Sequence, residues 1–262
     1  MIIPTCLVGE LYLHIFIIAP VVYGIGWAYC VYLIFLGFVV VNVIANIVTF
    51  VLTDTSILMD SCMEPELNVK LCTMCDRNVP PRCTHCDHCN ECIPRRRGHS
   101  HILGTCIGYF NHRYYFMAAV YTLFYSANAV AVSAIFYNRV LRNCEHSPIP
   151  IEHYPPFEEY EDCSLLMFFF VSAFVNFFVL IFTIILLTIE TEIVITGKMK
   201  HETRSAGQPA NYDRGLKKNL ICTLGRRWYL ACLCPAIKST LPDMHAVLFS
   251  VGERPFPFAA RF

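Results

Sequence analysis

Seven of the fifteen cysteines and five of the ten histidines fall within the forty-six residues from Leu71 to Phe116. Cys72 and Cys75 form one C-x-x-C knuckle, Cys86, Cys89 and Cys92 form two overlapping ones, and His85, His99 and Cys106 each add a further donor. A knuckle brings two sulfurs within reach of one ion, and thiolates with imidazoles are the donors zinc takes in tetrahedral sites. Eight such groups make two closed sites. Closure points to a structural role, because catalytic zinc keeps a position open for water. The rival chemistry is a disulfide cluster. It is disfavoured because the stretch carries Arg95, Arg96, Arg97 and Arg113 beside apolar segments, which assigns it to the cytosolic side of a membrane, where thiols stay reduced.

The rest of the chain must hold this stretch at a bilayer. Of its 262 residues, 56% are apolar and 15% charged, with no net charge, which excludes an ordinary soluble domain and predicts a polytopic membrane protein. Balanced charge says little about partners. A nucleic-acid partner is not expected, since the C-x-x-C, x12, H-x-x-x-H spacing of a DNA-binding finger is absent and apolar segments flank the stretch.

From Ile3 to Leu52, Glu10 and His14 are the sole acidic, basic or histidine residues, and that length is about twice what one helix needs to cross ~30 Å of hydrocarbon. A break at Gly24 and Gly26, flanked by Tyr23, Trp27 and Tyr29, divides it into spans at 4–23 and 29–52. Glu10 and His14, four apart on one helix face, are expected at the membrane interface. Further spans are expected at 114–137 and 164–189. Residues 53–113 form the cysteine-rich domain between the second and third spans, and the fold class predicted is all-α, with four transmembrane helices. The loop 138–163, acidic and broken by prolines, falls on the lumenal side, and the Lys/Arg-rich segments with both termini fall on the cytosolic side. Cys144 and Cys163 bracket that loop and are candidates for a lumenal disulfide. In the tail 190–262, Trp228 and Tyr229 beside Arg226 and Arg227 predict a segment lying on the membrane surface. Cys222, Cys232 and Cys234 there are read either as S-acylation sites or as small buried hydrophobes.

These residues resemble the DHHC-type protein S-acyltransferases (palmitoyltransferases). The family pattern runs C-x2-C, nine residues, H-C-x2-C-x2-C, four residues, D-H-H-C, five residues, C, with a Gly and an Asn shortly after. It maps with every spacing kept onto Cys72, Cys75, His85, Cys86, Cys89, Cys92, Cys106, Gly108 and Asn111. The resemblance covers most of the chain and implies the four spans, a Golgi or endoplasmic reticulum membrane, and transfer of a fatty acyl group from acyl-CoA to protein cysteine. It implies one zinc on Cys72, Cys75, His85 and Cys92 and a second on Cys86, Cys89, His99 and Cys106. The family's later motifs leave Glu202 of Met199-Lys200-His201-Glu202, and Asn219 before Gly225. The signature itself departs. Where the family has D-H-H-C this chain has Arg97-Gly98-His99-Ser100: the zinc-binding histidine remains, and the orienting aspartate, the basic histidine and the acylated cysteine are replaced.

The family's reaction needs a thiolate that attacks a thioester and holds the acyl group. A serine hydroxyl is not ionised near neutral pH and needs a positioned base; Gly98 offers none, and an arginine stays protonated. Adjacent His101 is badly placed to serve Ser100, and His88 and His112 are read as surface or interface residues. The expectation is a catalytically impaired scaffold that binds membrane lipid or acyl-CoA, or partners an active acyltransferase or a substrate protein. Arg95, Arg96 and Arg97 are candidates for contacts to CoA phosphates or lipid headgroups. Two alternatives stand beside it. One is an active S-palmitoyltransferase using Cys83 or direct attack by a substrate cysteine. The other is a structural membrane zinc protein that binds no acyl group.

Overall fold

The structure is a computed structural model and describes residues 8–56, 70–146, 163–199, 212–237, 239–242 and 247–248. Long apolar runs with few charged residues become helices: α1, Val8–Tyr23, π-helical over Leu13–Ile18; α2, Trp27–Leu52; α3, His112–His146; and α4, Cys163–Thr196. Two short helices follow, α5, Leu216–Leu224, and α6, Trp228–Ala231. Among the described residues three helical stretches are long and apolar enough to cross a bilayer: Trp27–Leu52 with 26 residues, His112–Arg139 with 28 and Phe169–Thr196 with 28. The first expected span appears as the shorter α1, residues 4–7 lying outside the described ones. Counted over the three long helices, the cysteine-rich region lies between the first and second; with α1 included it lies between the second and third.

The all-α expectation is corrected in that region. Residues 70–107 form three two-stranded antiparallel hairpins: β1 (Lys70–Cys72) with β2 (Arg77–Val79), β3 (Cys83–Cys86) with β4 (Glu91–Pro94), and β5 (Gly98–Ser100) with β6 (Thr105–Ile107). A C-x-x-C knuckle is a reversal, and its two arms pair. Asp76 and Asn90, each next after the second cysteine of a knuckle, take the left-handed conformation at φ 49° and 54°, which short polar side chains tolerate.

The chain divides into two compact units, Met1–Val41 with Val120–Ile185, and Asn42–Ala119 with Leu186–Phe262. In the first, Leu13, Ile18, Val22, Leu36, Val132, Phe136 and Phe169 bury one another, while Phe174, Phe178, Phe182 and Ile185 remain exposed, the surface that lipid would cover. The Tyr29 hydroxyl donates to the Ile15 carbonyl at 2.8 Å, within the π-helical stretch. Of the pair expected at the membrane interface, His14 is buried within this unit, and the half-buried Glu10 carboxylate accepts from Ser172 Oγ at 2.7 Å and Asn176 Nδ2 at 3.1 Å, donors that a carboxylate beside apolar helices requires. The second unit holds the hairpins.

Candidate functional site

Strand alternation explains how neighbouring ligands serve different metals. In the β3–β4 hairpin His85 lies directly opposite Cys92, and in β5–β6 His99 lies opposite Cys106. Successive side chains on a strand point to opposite faces, so Cys86, next to His85, is delivered to the other cluster. The structure gathers Cys72, Cys75, His85 and Cys92 in one group and Cys86, Cys89, His99 and Cys106 in another, with the donor atoms in each within 4.8 Å of one another. In the first, His85 Nδ1 is 3.2 Å from Cys75 Sγ, and Cys75 and Cys92 sulfurs are 3.6 Å apart. In the second, His99 Nδ1 is 3.4, 3.6 and 3.8 Å from the sulfurs of Cys89, Cys106 and Cys86. A tetrahedral ion with metal–sulfur bonds of ~2.3 Å needs edges of about 3.8 Å, so both donor sets fit a zinc-like ion. Arg96 braces them. Its Nη1 donates to the His85 carbonyl at 3.1 Å and its Nη2 to Cys86 Sγ at 3.3 Å, which steadies a thiolate.

The guanidiniums of the arginine run are directed to protein partners, with Arg95 buried and Arg96 and Arg97 half-buried. Arg95, with φ 47°, turns inward and is 2% exposed. Its Nη1 donates to the Cys222 carbonyl and to Thr223 Oγ1, each at 3.1 Å. Arg97 Nη2 lies 2.5 Å from Glu190 Oε1, and the guanidinium sits 5.9 Å over the Tyr115 ring. His112, expected at a surface or interface, is buried, its Nε2 2.8 Å from Glu190 Oε2. Glu190 was missed because it falls one residue past the expected end of the last span; the available signal was an acidic residue at the end of an apolar run in a chain whose signature begins with arginine.

Ser100 closes its own hairpin turn. Among the described residues its hydroxyl has one hydrogen-bond partner, the Leu103 N–H at 3.3 Å, and the Gly104 N–H reaches the Ser100 carbonyl at 2.8 Å. His101 instead faces His88 and His99, with ring centroids 5.0 and 5.2 Å away. Cys83 is fully buried, and that burial pushes its thiol up to about 12. Neither residue has the setting of an activated nucleophile.

Behind the hairpins, Gly108 approaches β4 closely. A Cβ built there would lie 2.6 Å from Ile93 Cγ2 and 3.3 Å from the Pro94 carbonyl oxygen. Gly108→Ala is therefore expected to destabilise this unit by ~1–3 kcal/mol through overcrowding. Removing the clashing methyl with Ile93→Ala should make the double variant less unstable than the sum of the two changes, as read by thermal unfolding of the metal-loaded protein.

Asn219 is buried. Its Nδ2 donates to the Ile195 carbonyl at 2.6 Å and to Asp213 Oδ1 at 2.8 Å, and its Oδ1 accepts from the Arg214 N–H at 3.1 Å. Of the tail cysteines, Cys222 is buried and Cys232 and Cys234 are half-buried; Trp228, Tyr229 and Leu233 are exposed. Glu202 lies outside the described residues, as do the side chains of Cys144 and Cys163 and residues 147–162 of the loop between them.

A family model described as DHHC palmitoyltransferase matches residues 66–206. The human protein named Probable palmitoyltransferase ZDHHC24 is 27% identical over 213 residues, covering 79% of this chain and 74% of that protein. Its Mus musculus namesake is 38% identical over 74 residues, 28% of this chain and 26% of that protein. Arabidopsis thaliana Protein S-acyltransferase 8 is 47% identical over 51 residues, 20% of this chain and 12% of that protein. The match to the mouse and plant proteins thus spans well under half of their length.

Proposed function

The chain belongs to the DHHC palmitoyltransferase family, and from that premise we propose that it keeps the family's metal-braced membrane scaffold without the acyl-transfer reaction. One observation carries the reading. All eight ligands stand in two compact groups, while the three signature positions that handle the acyl group are Arg97, Gly98 and Ser100. The ligand chemistry supports zinc in both sites, serving as a cross-link. The chemical positions support no transfer. An acyl-CoA thioester is opened by a thiolate, and among the described residues Ser100 offers a hydroxyl whose partner is a backbone N–H, with no base hydrogen-bonded to it to take its proton. An acyl group placed on Ser100 would also be held as an oxyester, lower in energy than the thioester that must next form on a substrate cysteine.

What remains is binding. The scaffold would present an acyl-CoA or lipid ligand, or hold an active acyltransferase or its substrate protein, in a Golgi or endoplasmic reticulum membrane. The apolar helices, α1 counted as the fourth, support a four-span arrangement with both termini in the cytosol.

The purified, zinc-loaded chain in lipid, incubated with labelled acyl-CoA, is expected to show no hydroxylamine-sensitive label, and Ser100→Cys alone is expected to stay at least 100-fold below an intact family enzyme, since a missing general base costs ~10²–10⁴. Label transferred to a substrate cysteine by the isolated chain would overturn this reading in favour of an unconventional transfer route. Saturable acyl-CoA binding without transfer separates the scaffold from a metal protein that binds no acyl group.

A further inference from the structure

Glu190 is fully buried near the end of an apolar helix, with one oxygen in a hydrogen bond and the other in an ion pair without hydrogen-bond geometry. Oε2 meets the buried His112 Nε2 at 2.8 Å and Oε1 meets Arg97 Nη2 at 2.5 Å. A carboxylate in that setting is tolerated only with a counter-charge and hydrogen-bond donors. His112 supplies a ring N–H donor in its neutral form, so the lasting positive charge comes from Arg97. Arg97 is held in place on its own side as well: its backbone N–H donates to the Ile107 carbonyl at 2.9 Å, fixing the start of the β5–β6 hairpin. The first position of the degenerate signature is therefore occupied by a side chain that this unit needs.

We infer that Glu190 is a counter-ion site that fixes a cation at position 97, so that a D-H-H-C signature can be rebuilt in this chain only if Glu190 is neutralised at the same time. Aspartate at position 97 would remove the cation and turn a second carboxylate toward a buried one, and in a low dielectric that repulsion is poorly screened. Glu190 thus acts on the signature as a positioning residue. The counter-ion role stands whether or not the present chain transfers acyl groups; the rebuilding rests on the reading that it does not.

The test uses the full zinc-loaded chain in detergent and reads thermal unfolding and acyl labelling. Arg97→Asp is expected to lower the melting midpoint by roughly 10 °C, as loss of a buried pair does in a chain of this size. Arg97→Lys should lower it by less than half as much, and adding Glu190→Gln to Arg97→Asp should recover at least half of the loss. If Arg97→Asp gives no folded protein, recovery of folded protein by the second substitution is the same result. A single Arg97→Asp variant that melts like the parent, or a double variant no more stable than the single, would overturn the counter-ion role. In the labelling arm, Arg97→Asp, Gly98→His and Ser100→Cys together should label at least tenfold less than the same three with Glu190→Gln. Equal label in the two, or none in either, overturns the rebuilding requirement. Label on the parent chain is a separate outcome and counts against the inactive-scaffold reading.

Discussion

Cys86→Ser is expected to release both metal ions and unfold residues 70–107, while Ser100→Ala leaves the region folded and fully loaded. The hairpins consist of three- and four-residue strands, and isolated two-stranded hairpins of that size are marginal in water. One buried cluster is Cys86, Ile93 and Cys106 with Cys89 packed against it, so three of its four members are themselves ligands. Beyond it Val79, Cys83 and Ile107 are buried, a small apolar content for a region of this length to fold on without metal. In small zinc domains the ion supplies most of the folding free energy, an apparent ~10–16 kcal/mol per site. The two sites are coupled through one strand, because His85 and Cys86 are adjacent and serve different clusters. Losing Cys86 disorders β3, and His85 goes with it. Ser100→Ala removes one long hydrogen bond, to Leu103 at 3.3 Å, a loss of about 1 kcal/mol or less. Metal-to-protein ratio and limited proteolysis check the pair; a Cys86→Ser protein that keeps both ions and resists protease would show that other side chains hold the metal.

The ligands were legible because metal chemistry constrains spacing: C-x-x-C with matched histidines has few other uses. The long helices were legible because crossing hydrocarbon demands an uninterrupted apolar run, although α3 continues to His146, past the expected end at 137, since helical hydrogen bonding does not stop where the bilayer does. The hairpins were not legible. Strands of three or four residues, rich in cysteine and interspersed with polar residues, carry no hydrophobic alternation to read. The arginine run shows a different limit, that of direction. Composition places three cations together, but the left-handed backbone at Arg95 sends one inward to Cys222, a second braces Cys86, and the third meets Glu190, so side chains adjacent in sequence end on three partners. The partners of Glu10 were not legible for a related reason: the donors that hold it, Ser172 and Asn176, lie more than 160 residues away.

Asn111→Ala is expected to cost the second unit about 3–5 kcal/mol, because this fully buried side chain satisfies three backbone groups at once. Its Oδ1 accepts from the Gly108 N–H at 2.9 Å, and its Nδ2 donates to the carbonyls of Cys106 at 2.9 Å and Phe50 at 3.4 Å. Phe50 lies in the last turn of α2, where a helix leaves carbonyls without an internal partner. Each orphaned buried group costs roughly 1–3 kcal/mol, and neighbouring losses overlap, so the sum is less than additive. Asn111→Asp separates the acceptor from the donor role. It keeps an oxygen for Gly108 but faces two carbonyls with a carboxylate, which raises the new group's folded-state pKa above its ordinary value through burial and through the absence of donors. A raised pKa means that the folded state binds the proton more tightly, so stability is present when the group is protonated and is lost as pH rises through the folded-state pKa. Protonated, the group offers an O–H donor in place of the amide. The Asp variant is therefore expected to gain stability relative to the Ala variant as pH falls from that raised folded-state pKa toward the ordinary aspartate value of about 4. Parallel melts of the two metal-loaded variants across that window measure the difference; curves that stay parallel would mean that the side-chain donor contributes nothing here and that Asn111 serves as an acceptor alone.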